Sequence, residues 1–462
     1  MSADKFRSWA APVFLVLTIL LGGATAPRAG LPANALLQTL AIFLIVFGLW
    51  TQRTSPLAKD SRPLIIISGI WLLLALLYLI PLPYDIWSSM PGREPVRRGM
   101  EMIGVSSPPS PTSLDWERSI ASILRLLPPA AIFILTLQLT DPQRRRLAIT
   151  LVGAAAASEC LGIAQLAGGP GSSLRPYVIT SPGMPVGFFA NGNHQATLLL
   201  CALALAGYLL ARAALRRRTR QGGTSMAVAS VVALFFVLGL AICGSAAGYG
   251  LLIPVGAGIV LLYRRVAAGK VGWTWAGGVG ILVAAMIGLA FLGPFSEQNL
   301  SDQLSDSPIS RRTIAVTTWQ AVVAHFPFGS GLGTFGDVYR TYEDIYRPVT
   351  EFVNHAHNDY LEVALETGLV GVILILAFMA WFGRATWIAW RSDREGANLA
   401  RAASLIIAVC LMHSLVDYPL RTSAIAVVFA AACAFLLPGR VRLKPRSSGK
   451  PKGEGLRHME AE

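Results

Sequence analysis

Twelve predominantly apolar runs of about 17 to 25 residues divide this chain, and a run of that length crosses the hydrocarbon of a bilayer as one helix. They fall roughly at 9–26, 32–50, 63–80, 119–139, 147–167, 192–212, 226–243, 247–263, 272–293, 361–383, 398–417 and 421–437. Only a helix or a closed barrel satisfies its backbone hydrogen bonds where water is absent. The pattern therefore predicts an all-α polytopic integral membrane protein of about twelve transmembrane helices. A soluble chain of 462 residues would suggest several domains, but 54% hydrophobic and 14% charged content excludes that class.

The first run has Lys5 and Arg7 before it and Ala24 and Ala26 near its end, the outline of a cleavable signal peptide. A retained first helix is expected, because the helix count then puts both termini on one side. With that side cytoplasmic, the inside segments hold 27 Lys and Arg and the outside segments 11. This is the positive-inside asymmetry. It also explains the net charge of +14 without nucleic acid: Arg144 to Arg146, Arg216 to Arg218 and the tail after Arg440 read as anchors for an anionic leaflet. The five cysteines lie in or at the ends of apolar runs, with neither a disulfide framework nor zinc-ligand spacing. No metal or cofactor is expected.

Polar chemistry is concentrated outside. The connector 81–117 reads as surface-lying, with Arg93, Arg97 and Arg98 facing lipid headgroups or an anionic substrate. Arg125 and Glu159, inside runs, should face the protein interior and could pair. Asn191, Asn193 and His194 stand at the outer head of the sixth run, as helix cap or as a polar wall for a hydroxyl-rich ligand.

Phe295 to Val353 is the one long extramembrane segment, and its net charge is negative. Arg311 and Arg312 stand out against it. From Arg312 onward, Ala315, Trp319, Val322, Val323 and Phe326 recur at helical spacing, predicting a surface helix with its apolar stripe on the membrane or the core. An arginine at the start of such a helix can grip phosphate. Gly329, Gly331 and Gly333 follow, a weak phosphate-loop signal lacking Gly-Lys-Ser/Thr.

Then comes NHAHNDYLEVALETGLVG, Asn354 to Gly371. His355 and His357 offer a base or acid, and Asn358 could fix which ring nitrogen carries the proton. Asp359 followed by Glu362 is equally a helix start. His413 and Asp417, four apart and hence on one helix face, end the eleventh run before Arg421; they suit a second shell around these histidines or a proton relay.

Arg312, the loop PFGSGLGTF, Tyr339, HAHNDYLEVALETGLVG and the upstream FFANGNHQAT together resemble the O-antigen ligase and O-antigen polymerase superfamily over roughly residues 186–437. The resemblance implies a metal-independent glycosyltransferase that takes a glycan from an undecaprenyl diphosphate carrier and passes it to an acceptor sugar hydroxyl. It implies a multi-pass protein of the bacterial inner membrane with its site at the periplasmic face. His357 would be the base and Arg312 a diphosphate contact; His355, Asn358, Asp359, Asn191, Asn193, His194, His413 and Asp417 would be acceptor-binding or supporting residues. Relatives commonly carry Ser-Arg-x-Gly after the seventh helix, whereas this chain has Ser245, Ala246, Ala247 and Gly248. Arg311, Arg175 or Arg421 would have to compensate, the donor would be held differently, or activity would be lost.

The expected organisation is 1–185 for helices one to five, 186–437 for the catalytic membrane region with outer loop 294–360, and 438–462 for a disordered basic tail. Partners would be the lipid-linked donor, a glycan or glycolipid acceptor and membrane lipids, with no nucleic acid. In-line displacement would invert the anomeric centre. The competing readings are a proton-coupled transporter built on Glu159, Arg125, His413 and Asp417, and an inactive scaffold relative.

Overall fold

The computed structural model describes residues 3–25, 31–52, 59–105, 108–181, 183–216, 219–266, 310–344, 346, 352–394 and 396–440. The ninth apolar run, the first part, 294–309, of the long loop expected on the outer side, and the tail from 441 lie outside the described residues. In chain order the helices are α1 Ala3–Leu21, α2 Leu31–Gln52, α3 Arg62–Leu77, α4 Tyr84–Ser89, α5 Glu94–Met102, α6 Trp116–Leu124, α7 Leu127–Leu137 and α8 Asp141–Ala167. They continue as α9 Gly192–Ala214, α10 Arg220–Ile242, α11 Ala246–Val266, α12 Arg311–His325, α13 Phe335–Tyr342, α14 Asp359–Arg391, α15 Ala397–His413 and α16 Ser423–Leu436.

Every apolar run within the described residues is helical. Among the described residues, seven segments are long and apolar enough to cross a membrane: Leu31–Thr51, Trp116–Leu137, Asp141–Ala167, Gly192–Ala214, Arg220–Ile242, Ala246–Val266 and Asp359–Arg391. Shorter apolar helices are Arg62–Leu77, Ala397–His413 and Ser423–Leu436. The Trp116–Leu137 span is broken between α6 and α7, where Pro128 and Pro129 supply no backbone donors. Caps set the starts: Thr219 Oγ1 accepts from Gly222 N, and Thr140 forms a capping box with Gln143 ahead of α8.

The core is built around α9, of which 83% of the apolar window is buried, against 17% for α2 at the rim. Helices α8, α10, α11 and α15 surround α9, and α16 packs on α7, α15 and α1. Small residues let the backbones approach: a Cβ at Gly207 would stand 2.7 Å from Ile259. A smaller core beside this bundle joins Ile314, Ala321 and Val322 of α12 to Phe335, Val338 and Tyr339 of α13 and Leu365 of α14.

Several expectations change. Arg144 is buried and donates to Leu437 O at 2.6 Å, satisfying a carbonyl at the end of α16 instead of meeting the leaflet. Arg93 is fully buried and donates to Thr112 O and Gly329 O, so it rivets the 81–117 connector to the glycine loop. Burial lowers its pKa to about 10. Glu159 takes its hydrogen bond from Gln195 Nε2 at 3.1 Å, not from Arg125, whose charged neighbours are Arg421, Glu366 and Glu362. On α12, Val322 turns to the core while Trp319, Val323 and Phe326 are exposed.

The three loop glycines are structural. Helix α14 departs from helical geometry at Gly368 (φ 57), and the loop docks onto that break. Ser330 N donates to Leu365 O, Gly331 N to Glu366 O and Gly333 N to Glu366 Oε1, all within 2.8–2.9 Å, while Leu369 N donates to Pro327 O at 2.8 Å. Its amides are committed to a helix and cannot cradle phosphate.

A Cβ at Gly368 would lie 2.0 Å from Pro327 O at a φ that side chains avoid. Gly368→Ala is expected to cost about 2–5 kcal/mol, read as a lower Tm in detergent, through strain plus overlap. Burial, chiefly, holds His325 below its ordinary value of 6.5. Its folded form thus binds fewer protons than the unfolded chain, so stability is greatest above pH 6.5 and falls as pH drops from there toward the folded value. The Tm difference between pH 8 and pH 5.5 should shrink in His325→Gln.

Candidate functional site

The start of α14, the end of α15, the head of α9 and the start of α12 meet at one end of the bundle. Asn358 caps α14, its Oδ1 accepting from Tyr360 N and Leu361 N at 3.0 Å, while its Nδ2 donates to Leu415 O. Asp359 ties α14 to the end of α15: its N donates to Ser414 O at 2.9 Å and its Oδ2 accepts from Ser414 Oγ at 2.7 Å. These bonds place the two residues before the helix, and with them both histidines.

His355 Nδ1 donates to Glu362 Oε1 at 2.8 Å, and Ala356 N donates to Glu362 Oε2 at 3.0 Å. Proton on Nδ1 leaves Nε2 of His355 as an acceptor. His357 is different. It sits at φ 50, a left-handed conformation that a non-glycine residue adopts only under constraint, with Nδ1 3.5 Å from Asp417 Oδ1. Its side chain is 25% exposed, whereas Asp417 is fully buried.

Asp417 is the meeting point. Its Oδ2 accepts from Asn193 Nδ2 at 2.6 Å, its Oδ1 from Tyr418 N at 2.9 Å, and Arg311 Nη2 lies 3.8 Å from Oδ2. Burial works against its charge, but the imidazoles around it, His357 first, hold it below the ordinary carboxylate range. Asn193 is held in turn, its N donating to Asn191 Oδ1 at 2.8 Å and its carbonyl accepting from Thr197 Oγ1 at 2.9 Å. That hydroxyl proton being used, His413 Nδ1 at 2.7 Å must be the donor to Thr197.

Tyr418 sits between three imidazoles. Its ring centroid is 4.4 Å from His355, 4.9 Å from His357 and 5.2 Å from His194. Its hydroxyl bonds to the Asn191 and Asn354 side chains, and burial pushes the phenol up. His194 is buried against Tyr418 and Phe189.

Of the expected arginines, Arg311 points to Asp417 and Arg312 lies on the exposed face of α12. Arg421 turns inward to three carboxylates: Nη1 lies 3.0 Å from Glu366 Oε2 and 3.4 Å from Glu362 Oε1, and Nε 3.4 Å from Asp359 Oδ1. Burial disfavours its charge, yet Glu362, Glu366 and Asp359 hold it more firmly protonated than a free arginine. Arg175 donates to Ser181 O at 3.0 Å. Ser245 Oγ accepts from Gly248 N, so the Ser-Ala-Ala-Gly turn caps α11.

Sequence reasoning missed Tyr418, Thr197, Glu362 and Glu366 as site-building residues. The acids had a signal: Asp359, Glu362 and Glu366 share one helix face among apolar neighbours. Tyr418 had none.

A search of curated proteins returned no match. Residues 231–376 match the family model described as O-Antigen ligase. The match takes in Arg311, Arg312, the glycine loop and His355 to Asp359, while Asn193, Asp417, Tyr418 and Arg421 lie outside it. The segment that carries the histidines of the site, in a chain with several helices long and apolar enough to cross a membrane, is thus similar to the O-Antigen ligase family.

Proposed function

We propose that the protein is an inverting glycosyltransferase that moves a glycan from an undecaprenyl diphosphate carrier to a sugar hydroxyl at the periplasmic face of the inner membrane. The observation that carries this reading is the buried Asp417 carboxylate behind Nδ1 of the partly exposed His357. A carboxylate there keeps the proton on Nδ1 and leaves Nε2 as the base. In the reaction Nε2 takes the acceptor hydroxyl proton, the acceptor oxygen attacks the anomeric carbon, and the carbon–oxygen bond to the diphosphate breaks. The diphosphate departs with the bonding electrons. Asp417 stabilises the imidazolium, and the cations at the head of α12, Arg311 and Arg312, are placed to offset charge on the leaving group.

Roles divide accordingly. Arg312 and Arg311 act on the donor; Arg421, engaged by three carboxylates, is a positioning residue for α14. Asn191, Asn193, His194, His355, Asn358, Asp359 and His413 surround and hold the His357–Asp417 pair. The catalytic membrane region is 186–437 with its outer loop at 294–360, and no metal takes part. Clustering of the polar groups at one end of the bundle supports surface chemistry over a transport path centred on Glu159.

His357→Ala is expected to lower transfer about 10²- to 10⁴-fold, the usual contribution of a positioned base. In cells, lipid-linked glycan should accumulate while the protein still reaches the membrane; unchanged surface polysaccharide would sink the proposal. Asp417→Asn, which keeps the shape but removes the charge, should lower kcat about 10²-fold or more with KM little changed. A chain-length shift in the product would mark a polymerase, and loss of attachment to a second acceptor a ligase.

A further inference from the structure

Asp417 faces His357 from farther than a firm hydrogen bond reaches. The gap is 3.5 Å, and His357 Nδ1 is buried with no hydrogen-bond partner among the described residues. A carboxylate at that distance can choose the tautomer of a ring already turned toward it, but it cannot by itself hold the ring there. The imidazole is also partly open, so packing has to act from its covered side. There stands Tyr418, its ring centroid 4.9 Å away and its plane inclined at 67°.

Tyr418 is fixed by bonds that do not involve His357. Its N donates to Asp417 Oδ1 at 2.9 Å, and its carbonyl accepts from Arg421 N at 3.1 Å. Its hydroxyl bonds to the side chain of Asn191, the cap of α9, and to that of Asn354, three residues ahead of His357. The residue is buried, and His194 packs on the ring at 5.2 Å. With main chain and hydroxyl both tied, the ring is a fixed wall. His355 also packs on it, at 4.4 Å, but is held separately by its bond to Glu362 at 2.8 Å. One oxygen links the two roles of Tyr418: the Oδ1 that accepts from its N is the atom His357 Nδ1 faces.

We propose that Tyr418 is the positioning residue of the His357–Asp417 pair, its main chain aiming Asp417 Oδ1 and its ring holding the imidazole against that oxygen, so that the proton stays on Nδ1. This role rests on the transferase reading above for what the imidazole then does. Tyr418 itself touches no reacting atom. The ring meets His357 directly and the hydroxyl only steadies the ring, so phenylalanine should serve where an aliphatic side chain does not.

The experiment is nitrogen-15 NMR of the full-length protein, labelled at histidine and held in detergent micelles at about pH 8.5, above the ordinary titration range of histidine. Spectra of His355→Gln and His357→Gln assign the two rings. In the wild type both should carry the proton on Nδ1. Tyr418→Leu should shift His357 to a mixture with the Nε2–H form while His355, bonded to Glu362, keeps its tautomer, and Tyr418→Phe should restore the wild-type signal. Tyr418→Met takes the place of the leucine variant if that one does not fold. An unchanged His357 signal in the aliphatic variant overturns the proposal. So does loss of both tautomers together, which would make Tyr418 a general support of the site. Those two outcomes leave the transferase reading standing, whereas a wild-type His357 protonated on Nε2 removes its base and overturns both.

Discussion

Asp359, Glu362 and Glu366 lie on the first turns of α14, all buried, and one guanidinium, Arg421, reaches all three. Carboxylates removed from water are costly unless paired and hydrogen-bonded, so this cluster is either satisfied in full or not formed. Here each carboxylate has a further task. Asp359 accepts from Ser414, Glu362 from His355 and Ala356, and Glu366 from Gly333. One ion cluster therefore fixes the end of α15, the histidine stretch and the glycine loop relative to one another. Removing Arg421 would release all three at once.

The site inherits its geometry from that frame. With Ala356 N bonded to Glu362 and Asn358 capping α14, His357 is held between two anchored neighbours at a positive φ. Strain of this kind persists only when the surroundings over-determine it. Its effect is to turn one imidazole toward Asp417 and leave it partly open, while His355, two residues away, is tied to a carboxylate and covered. Tyr418 fills the space between the rings, and its hydroxyl reaches both the α9 head and Asn354. The same chain segment thus yields one accessible imidazole and one structural one.

The glycine loop teaches a related lesson. Gly329, Gly331 and Gly333 follow the spacing of an anion-binding loop, yet their freedom is used for close approach to α14 and to the 81–117 connector. A Cβ at Gly329 would stand 2.7 Å from Glu366 O, and one at Gly331 2.2 Å from Ser113 Oγ. Glycines at alternate positions state that a backbone must come near something; they do not state what. Arg93, fully buried beneath this loop, shows the same limit, since an arginine in a polar connector looks alike in sequence whether it meets lipid or caps carbonyls.

The sequence alone determined that this chain is a helical membrane protein, because run length and backbone desolvation leave few other solutions. It also showed that titratable groups cluster near His355 to Asp359 against an apolar background. Only the tertiary structure decided which groups work together. Asn193 lies 224 residues from Asp417, yet they share a hydrogen bond, and Arg311 rather than its neighbour Arg312 turns toward that carboxylate. Neighbours on a helix differ by about 100°, so adjacent arginines face different surroundings, and contacts between distant segments follow from packing that no local pattern encodes.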